Sequence, residues 1–116
     1  MSSNEKQNFL NLLSNKDFAV IFKFTATWCG PCKRSKPYVD SNVSKLDDNK
    51  IKFVEIDIDD SIEVYGLLKN KRMISTIPAM LFYNIETRDI WPDESLSSSS
   101  EKDIDAFFER CKKAVC

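Results

Sequence analysis

The sequence lacks any apolar segment long enough to cross a membrane, and its 116 residues carry a formal charge of only −1. Its lysines and arginines gather only in short groups, such as residues 33–34 and 69–72, so general binding to nucleic acid or to a membrane surface is not expected. It also lacks internal repeats and any linker long enough to divide domains. We therefore expect residues 1–116 to form one domain, which is large enough to bury a core without cross-links.

The N-terminus, residues 1–5, lacks the basic and then apolar pattern of a signal peptide. We therefore expect a cytoplasmic or nucleosolic protein. In such a reducing compartment the four cysteines are not expected to form a structural disulfide framework. A closely spaced cysteine pair in this compartment therefore indicates either catalysis or metal binding.

Two of the cysteines, Cys29 and Cys32, lie where an apolar run ends and a helix-forming run begins. Residues 19–25 are apolar on both faces, which is typical of a central parallel strand, and residues 33–48 have the composition of a helix. The cysteines therefore fall at a strand-to-helix turn, where unpaired N–H groups and the positive end of the helix dipole stabilise an anion. A thiol there ionises more readily than in water, and the spacing lets the two sulfurs bridge and open again.

A zinc site is the alternative for this pair, because Cys-x-x-Cys spacing is also half of many zinc sites. Cys29, Cys32, Cys111 and Cys116 would together make a tetrahedral set. Cys111, however, continues an apolar helix face, where a free cysteine behaves as a small hydrophobic residue. Cys116 is the last residue and is expected to be an exposed thiol. We therefore favour redox chemistry over metal binding.

The stretch from Phe22 to Lys33, FKFTATWCGPCK, resembles the active site of the thioredoxin family. Pro37 matches the family's kinking proline in the following helix, Ile77-Pro78 matches its cis-proline loop, and the likeness covers most of residues 18–90. The resemblance implies a three-layer α/β sandwich with a mixed sheet and four flanking helices. We expect about four strands, because only one residue precedes the first predicted helix and the family's usual N-terminal strand has no room there.

The resemblance implies a protein-disulfide reductase that works by dithiol exchange. Cys29 would be the exposed attacking thiolate, and Cys32 would resolve the mixed disulfide and leave a Cys29–Cys32 disulfide. Gly30 and Pro31, which lie between them, are expected to contact substrate. The implied partners are protein disulfides and an NADPH-dependent thioredoxin reductase, and we expect a monomer without a metal or organic cofactor. The alternatives are an oxidase or isomerase of particular substrates, and a binding module that does not use its thiols.

An apolar rim around the cysteines is expected to bind substrate. Trp28 and Ile77 would form it, with Trp91 as a candidate third member, because exposed apolar patches usually mark interaction surfaces. Packing of Trp91 against the last helix is an equally good alternative. The resemblance implies that Pro78 is cis, whereas the alternative, a trans turn proline, is the commoner state of prolines in general. A cis Pro78 would leave the backbone at Ile77 open to an incoming strand and would present no N–H to the cysteines.

Lys23 departs from the family pattern, because thioredoxins usually carry a buried acid six residues before the first cysteine. A buried, unpaired lysine would be costly, so we expect Lys23 to pair with Glu55 in the neighbouring strand. Glu55 would then accept the proton of Cys32, directly or through water. A cation near the cysteines favours their thiolates, which would make the protein a weaker reductant than a typical thioredoxin. The alternative is that Lys23 directs its ammonium to solvent and changes little.

The remaining elements follow from hydrophobic periodicity and capping signals. They are a first helix ending near Asn15, a strand at 51–58 parallel to the first strand, a helix at 62–69, a hairpin of strands 79–83 and 87–91, and a last helix capped by Ser100 and Asp103. Asn84 would replace a glycine in the hairpin turn. Residues 92–100 read as a polar connector without regular structure.

Overall fold

The structure, a computed structural model, describes residues 2–15, 17–71, 73–85 and 91–115, and the side chains from Gln7 onward. In chain order the elements are α1 (Ser2–Ser14), β1 (Ala19–Thr25), α2 (Gly30–Val43), β2 (Ile51–Asp57), α3 (Ile62–Asn70), β3 (Ala79–Tyr83), β4 (Glu94–Leu96) and α4 (Glu101–Val115). Within these ranges there are four helices and four strands, as predicted. None of the described helices is both long and apolar enough to cross a membrane.

The four strands form one mixed sheet in the order β2-β1-β3-β4. β1 is parallel to β2, as the crossover through α2 predicts, and antiparallel to β3, which in turn is antiparallel to β4. At the centre of β1, Lys23 is opposite Glu55 of β2 on one side and Met80 of β3 on the other. The predicted mixed sheet is confirmed, and β1 is an inner strand.

Helices cover both faces of the sheet, and each face has its own apolar cluster. Side chains alternate along β1, so Val20, Phe22 and Phe24 point into one cluster and Ala19 and Ile21 into the other. The first cluster lies against α1 and α3 and includes Phe9, Leu13, Val64 and Leu68. The second lies against α2 and α4 and includes Val39, Met80, Phe82, Ile104, Phe107, Phe108 and Cys111. This is the predicted three-layer sandwich.

The end of α2 differs from the prediction. We expected a helix over residues 33–48, but α2 begins at Gly30 and ends at Val43. The N–H of Ser44 still donates four residues back, but the next two donate only three residues back: Lys45 to the carbonyl of Asn42, and Leu46 to that of Val43. These tighter turns end the helix but still let Leu46 pack against the second cluster.

The last strand that the structure describes was not predicted. We expected a strand at residues 87–91, of which 87–90 lie outside the described residues and Trp91 is not in a strand. The observed β4, Glu94–Leu96, falls within the stretch that was expected to be irregular. Its pairing with β3 is extended by the N–H of Asp93, which donates to the carbonyl of Phe82 at 2.8 Å. Tertiary pairing has overridden a weak local preference.

The capping and apolar stripe of α4 are as predicted. Ser100 Oγ accepts from the N–H of Asp103 at 3.5 Å, and Ser98 Oγ donates to the Asp103 carboxylate at 2.9 Å. The side chains of Ile104, Phe107, Phe108 and Cys111 are fully buried. α4 therefore holds the second cluster against the sheet.

Substitution Phe108→Ala tests this packing. The ring is fully buried and meets the Phe107 ring edge-on, with centroids 5.7 Å apart. Its removal should lower the free energy of unfolding by about 3–5 kcal/mol in urea titrations of the oxidised protein. Ile62→Ala is the control, because Ile62 is 67% exposed and its truncation should change stability by less than about 0.5 kcal/mol. Equal losses in the two variants would contradict the assignment of the core.

Candidate active site

A disulfide joins Cys29 and Cys32 at the N-terminus of α2, with their Cα atoms 5.3 Å apart. Cys29 is the N-cap residue of the helix, and its sulfur accepts from the N–H of Cys32 at 3.2 Å. Gly30 is the exposed first residue of the helix, and Pro31 lies half-buried in the first turn, where its missing N–H costs nothing. The local fold thus places the sulfur of Cys29 at the helix N-terminus, within hydrogen-bonding distance of a backbone N–H of the first turn.

The prediction that Cys29 is exposed is wrong for this oxidised form. Only 4% of Cys29 and 2% of Cys32 are accessible, because both belong to the first apolar cluster together with Ala26 and Ala79. Trp28, next to Cys29 in the chain, has instead an exposed side chain, at 63%.

The orientation of Trp28 is fixed by a hydrogen bond that sequence reasoning missed. Its indole Nε1–H donates to Asp59 Oδ2 at 2.9 Å, and the N–H of Asp59 donates to Asp57 Oδ1 at 2.8 Å. The available signal was the position of these acids: Asp57 is the last residue of β2 and Asp59 follows it, and the carboxyl end of β2 lies beside that of its parallel neighbour β1. Trp28 therefore presents an apolar face from a defined position.

The peptide bond between Ile77 and Pro78 is cis, as predicted. Pro78 is buried, and Ile77 is partly buried against the cluster that contains the cysteines. The next residue, Ala79, pairs with Phe24 of β1, which brings this loop to the same end of the sheet as the cysteines. Trp91 is 54% exposed and packs in neither cluster, so the alternative that buries it against α4 is wrong.

Lys23 and Glu55 form the predicted ion pair. Lys23 Nζ lies 3.4 Å from Glu55 Oε2, and the side chain of Lys23 is 2% exposed whereas that of Glu55 is 47% exposed. The alternative that Lys23 directs its ammonium to solvent is therefore wrong. Because β2 is an edge strand, the carboxylate stays in contact with water while the ammonium is buried.

Lys23 also approaches the inward face of α2. It lines a narrow gap, without room for a water molecule, together with Ser35, Val39 and Pro78. Ser35 is fully buried, and its Oγ–H donates to the carbonyl of Cys32 at 3.1 Å. The buried Lys23 thus shares this gap with the cis-proline and with Ser35, which is hydrogen-bonded to Cys32. Sequence reasoning missed Ser35, whose only signal was a polar residue on the inward face of α2.

The other cysteines lie apart from this pair. Cys111 is a free thiol in the second cluster, on the opposite face of the sheet, and burial raises its pKa. Cys116 lies outside the described residues. In the part of the chain that the structure describes, no three cysteine or carboxylate side chains converge as a metal site would require.

This combination of a sheet, a helix-capping disulfide and a cis-proline loop agrees with comparisons to known proteins. The thioredoxin family model matches residues 1–109, and the chain belongs to that family. Thioredoxin H8 of Arabidopsis thaliana is 34% identical over 79 residues, which cover 68% of this chain and 49% of that protein. Thioredoxin of Rickettsia typhi is 39% identical over 85 residues, which cover 71% of this chain and 74% of that protein.

Several curated relatives are matched over only about half their length, as for thioredoxin H8 at 49% and the thioredoxin of Ophiophagus hannah at 55%. Among solved structures, oxidised Plasmodium falciparum thioredoxin superposes with a TM-score of 0.68 at 24% identity, over 95% of this chain and 92% of that one. Oxidised mitochondrial thioredoxin 3 of Saccharomyces cerevisiae gives 0.69 at 20% identity, over 90% and 89%. At such identities these structures establish the fold alone.

Alkylation tests the different surroundings of the cysteines. A buried thiol with a raised pKa supplies little thiolate, so Cys111 of the folded, reduced protein should react with iodoacetamide at least roughly 100-fold more slowly than in urea. Peptide mapping by mass spectrometry measures each cysteine separately. Labelling of Cys111 at similar rates in native buffer and in urea would contradict its placement in the core.

Proposed function

We propose that the protein is a thiol–disulfide oxidoreductase that reduces protein disulfides through Cys29 and Cys32. The observation that carries the proposal is the disulfide between the N-cap and the first turn of α2, in a chain of the thioredoxin family. A pair held 5.3 Å apart at Cα by consecutive turns can open and close while the sheet and helices keep their places.

Reduction of a substrate begins with the dithiol form. The thiolate of Cys29 attacks one substrate sulfur, so that a mixed disulfide forms and the other substrate sulfur leaves as a thiolate. The N–H of Cys32 and the helix N-terminus stabilise the charge on Cys29 before the attack. Cys32 then loses its proton and attacks the sulfur of Cys29, which releases the second substrate thiol and closes the disulfide. Two electrons and two protons pass to the substrate.

The surface beside the disulfide supports binding of an extended protein segment. Trp28 offers an exposed apolar face, held by Asp59, and Ile77 adds apolar surface from the cis-proline loop. Pro78 has no N–H to compete for the cysteine sulfurs. We assign Gly30 and Pro31 to the same contact surface, since they lie between the two cysteines. Trp91 as a further member of the rim stays a prediction.

The proposed partners are those that membership of the thioredoxin family implies. Protein disulfides are the proposed substrates, and an NADPH-dependent thioredoxin reductase is the proposed donor that returns the pair to the dithiol. The cysteines need no resident metal or organic cofactor for this exchange. A cytoplasmic location and a monomeric state stay predictions.

Lys23 and Glu55 are proposed to tune the pair. Lys23 is buried and lines the same gap as Ser35 and Pro78, and we assign to its cation the effect of favouring thiolates over the disulfide. This stabilises the reduced form and makes the protein a weaker reductant. Glu55, 3.4 Å from the Lys23 ammonium and half-exposed, is the proposed acceptor of the Cys32 proton, directly or through water.

Reduction of insulin tests the reaction and its direction. The protein should accelerate insulin precipitation in dithiothreitol, and Cys29→Ser and Cys32→Ser should each return the rate to the uncatalysed value, because each removes one of the two exchange steps. Oxidative refolding of a reduced, unfolded protein is measured in parallel. Acceleration of refolding without insulin reduction would favour an oxidase or isomerase. Partner binding that survives both serine substitutions, with neither activity, would favour a binding module.

The reduction potential tests the role of Lys23. Lys23→Met removes the buried cation at similar volume, so the potential should become more reducing by about 30 mV, a tenfold change in the exchange equilibrium. The reduction potential of each variant is measured by equilibration with glutathione or dithiothreitol redox buffers. Lys36→Met is the matched control, since that exposed ammonium already pairs with Asp40 at 3.1 Å and its loss should shift the potential far less. An unchanged or more oxidising potential in Lys23→Met would contradict the proposed tuning.

A further inference from the structure

Arg34 lies one turn into α2, and its side chain folds back to the helix N-terminus. A Cβ atom placed on Gly30 would lie 3.3 Å from Arg34 Nη1, so the guanidinium lies over the residue between Cys29 and Pro31. Side chains in helices lean toward the N-terminus and residues four apart share a face, which accounts for this direction. The absence of a side chain at Gly30 leaves the space for it.

The side chain of Arg34 is exposed, and no described residue forms an ion pair with its guanidinium. Some other cations have partners: Lys36 pairs with Asp40 at 3.1 Å, and Arg110 pairs with Glu94 at 2.8 Å. Arg34 makes no ion pair or side-chain hydrogen bond with any residue that the structure describes. A free cation therefore stands next to the disulfide, where the helix N-terminus also favours negative charge.

We propose that Arg34 determines substrate specificity by binding a carboxylate that flanks the substrate's disulfide. A guanidinium and a carboxylate are both planar and can form two parallel hydrogen bonds. Arg34 therefore favours Asp or Glu over a neutral side chain beside the attacked cysteine. The preferred substrates are thus protein disulfides with an acidic residue beside the cysteine that Cys29 attacks. This inference rests on the proposed reductase function and adds a substrate class to it.

Three matched peptides test the proposal, each with one disulfide and with Glu, Gln or Lys beside the attacked cysteine. The pre-reduced protein is mixed with each peptide at low ionic strength, and the rate constant for peptide reduction is followed by chromatography. The wild type should reduce the Glu peptide about three- to tenfold faster than the Lys peptide, with the Gln peptide between them. In Arg34→Gln this Glu-to-Lys ratio should fall to near one.

Lys36→Gln is the matched control, because it removes the same charge from the same helix at an ammonium that is already paired. It should keep the wild-type Glu-to-Lys ratio. A ratio that survives in Arg34→Gln, or one that falls equally in Lys36→Gln, overturns the assignment to Arg34. If the wild type reduces the Gln and Lys peptides but shows no preference for Glu, the inference fails and the reductase function stands. If it reduces no peptide, the proposed function fails and the inference with it.

Discussion

The disulfide between Cys29 and Cys32 depends on where the first strand ends. β1 is an inner strand of the sheet, and its end places Cys29 at the N-cap of α2, where the sulfur accepts from the N–H of Cys32. The cis-proline loop reaches the same end of the sheet because β3 pairs with β1. Three neighbouring elements therefore converge on two sulfurs, and the apolar cluster behind them excludes water from all but their outer side.

The sheet also explains how a lysine can be buried beneath this site. An isolated ammonium in the core would be costly, and a fully buried ion pair often repays only part of that cost. Here Lys23 lies on the inner strand β1, whereas its partner Glu55 lies on the edge strand β2 and keeps about half of its surface exposed. Only one of the two charges is removed from water, and the carboxylate stays in contact with solvent.

Most of the fold was predictable because the strongest patterns coincide with the most buried elements. β1 was predicted at its observed bounds, since a short segment that is apolar on both faces is typical of a strand buried on both sides of a sheet. β4 was not predicted because its three residues owe their strand conformation to pairing with β3 and not to a local apolar pattern. The hydrogen bond between Trp28 and Asp59, 31 residues apart, and the burial of Cys29 likewise depend on tertiary packing that local patterns do not encode.

The unequal roles of the two sulfurs are tested most directly by the rate at which each cysteine alone reacts with an aromatic disulfide. In Cys32→Ser, Cys29 keeps its place at the helix N-terminus, so at neutral pH it should react at least about tenfold faster than Cys32 does in Cys29→Ser. The double serine variant supplies the background from the remaining cysteines. Equal rates, or a faster Cys32, would contradict the assignment of Cys29 as the attacking sulfur.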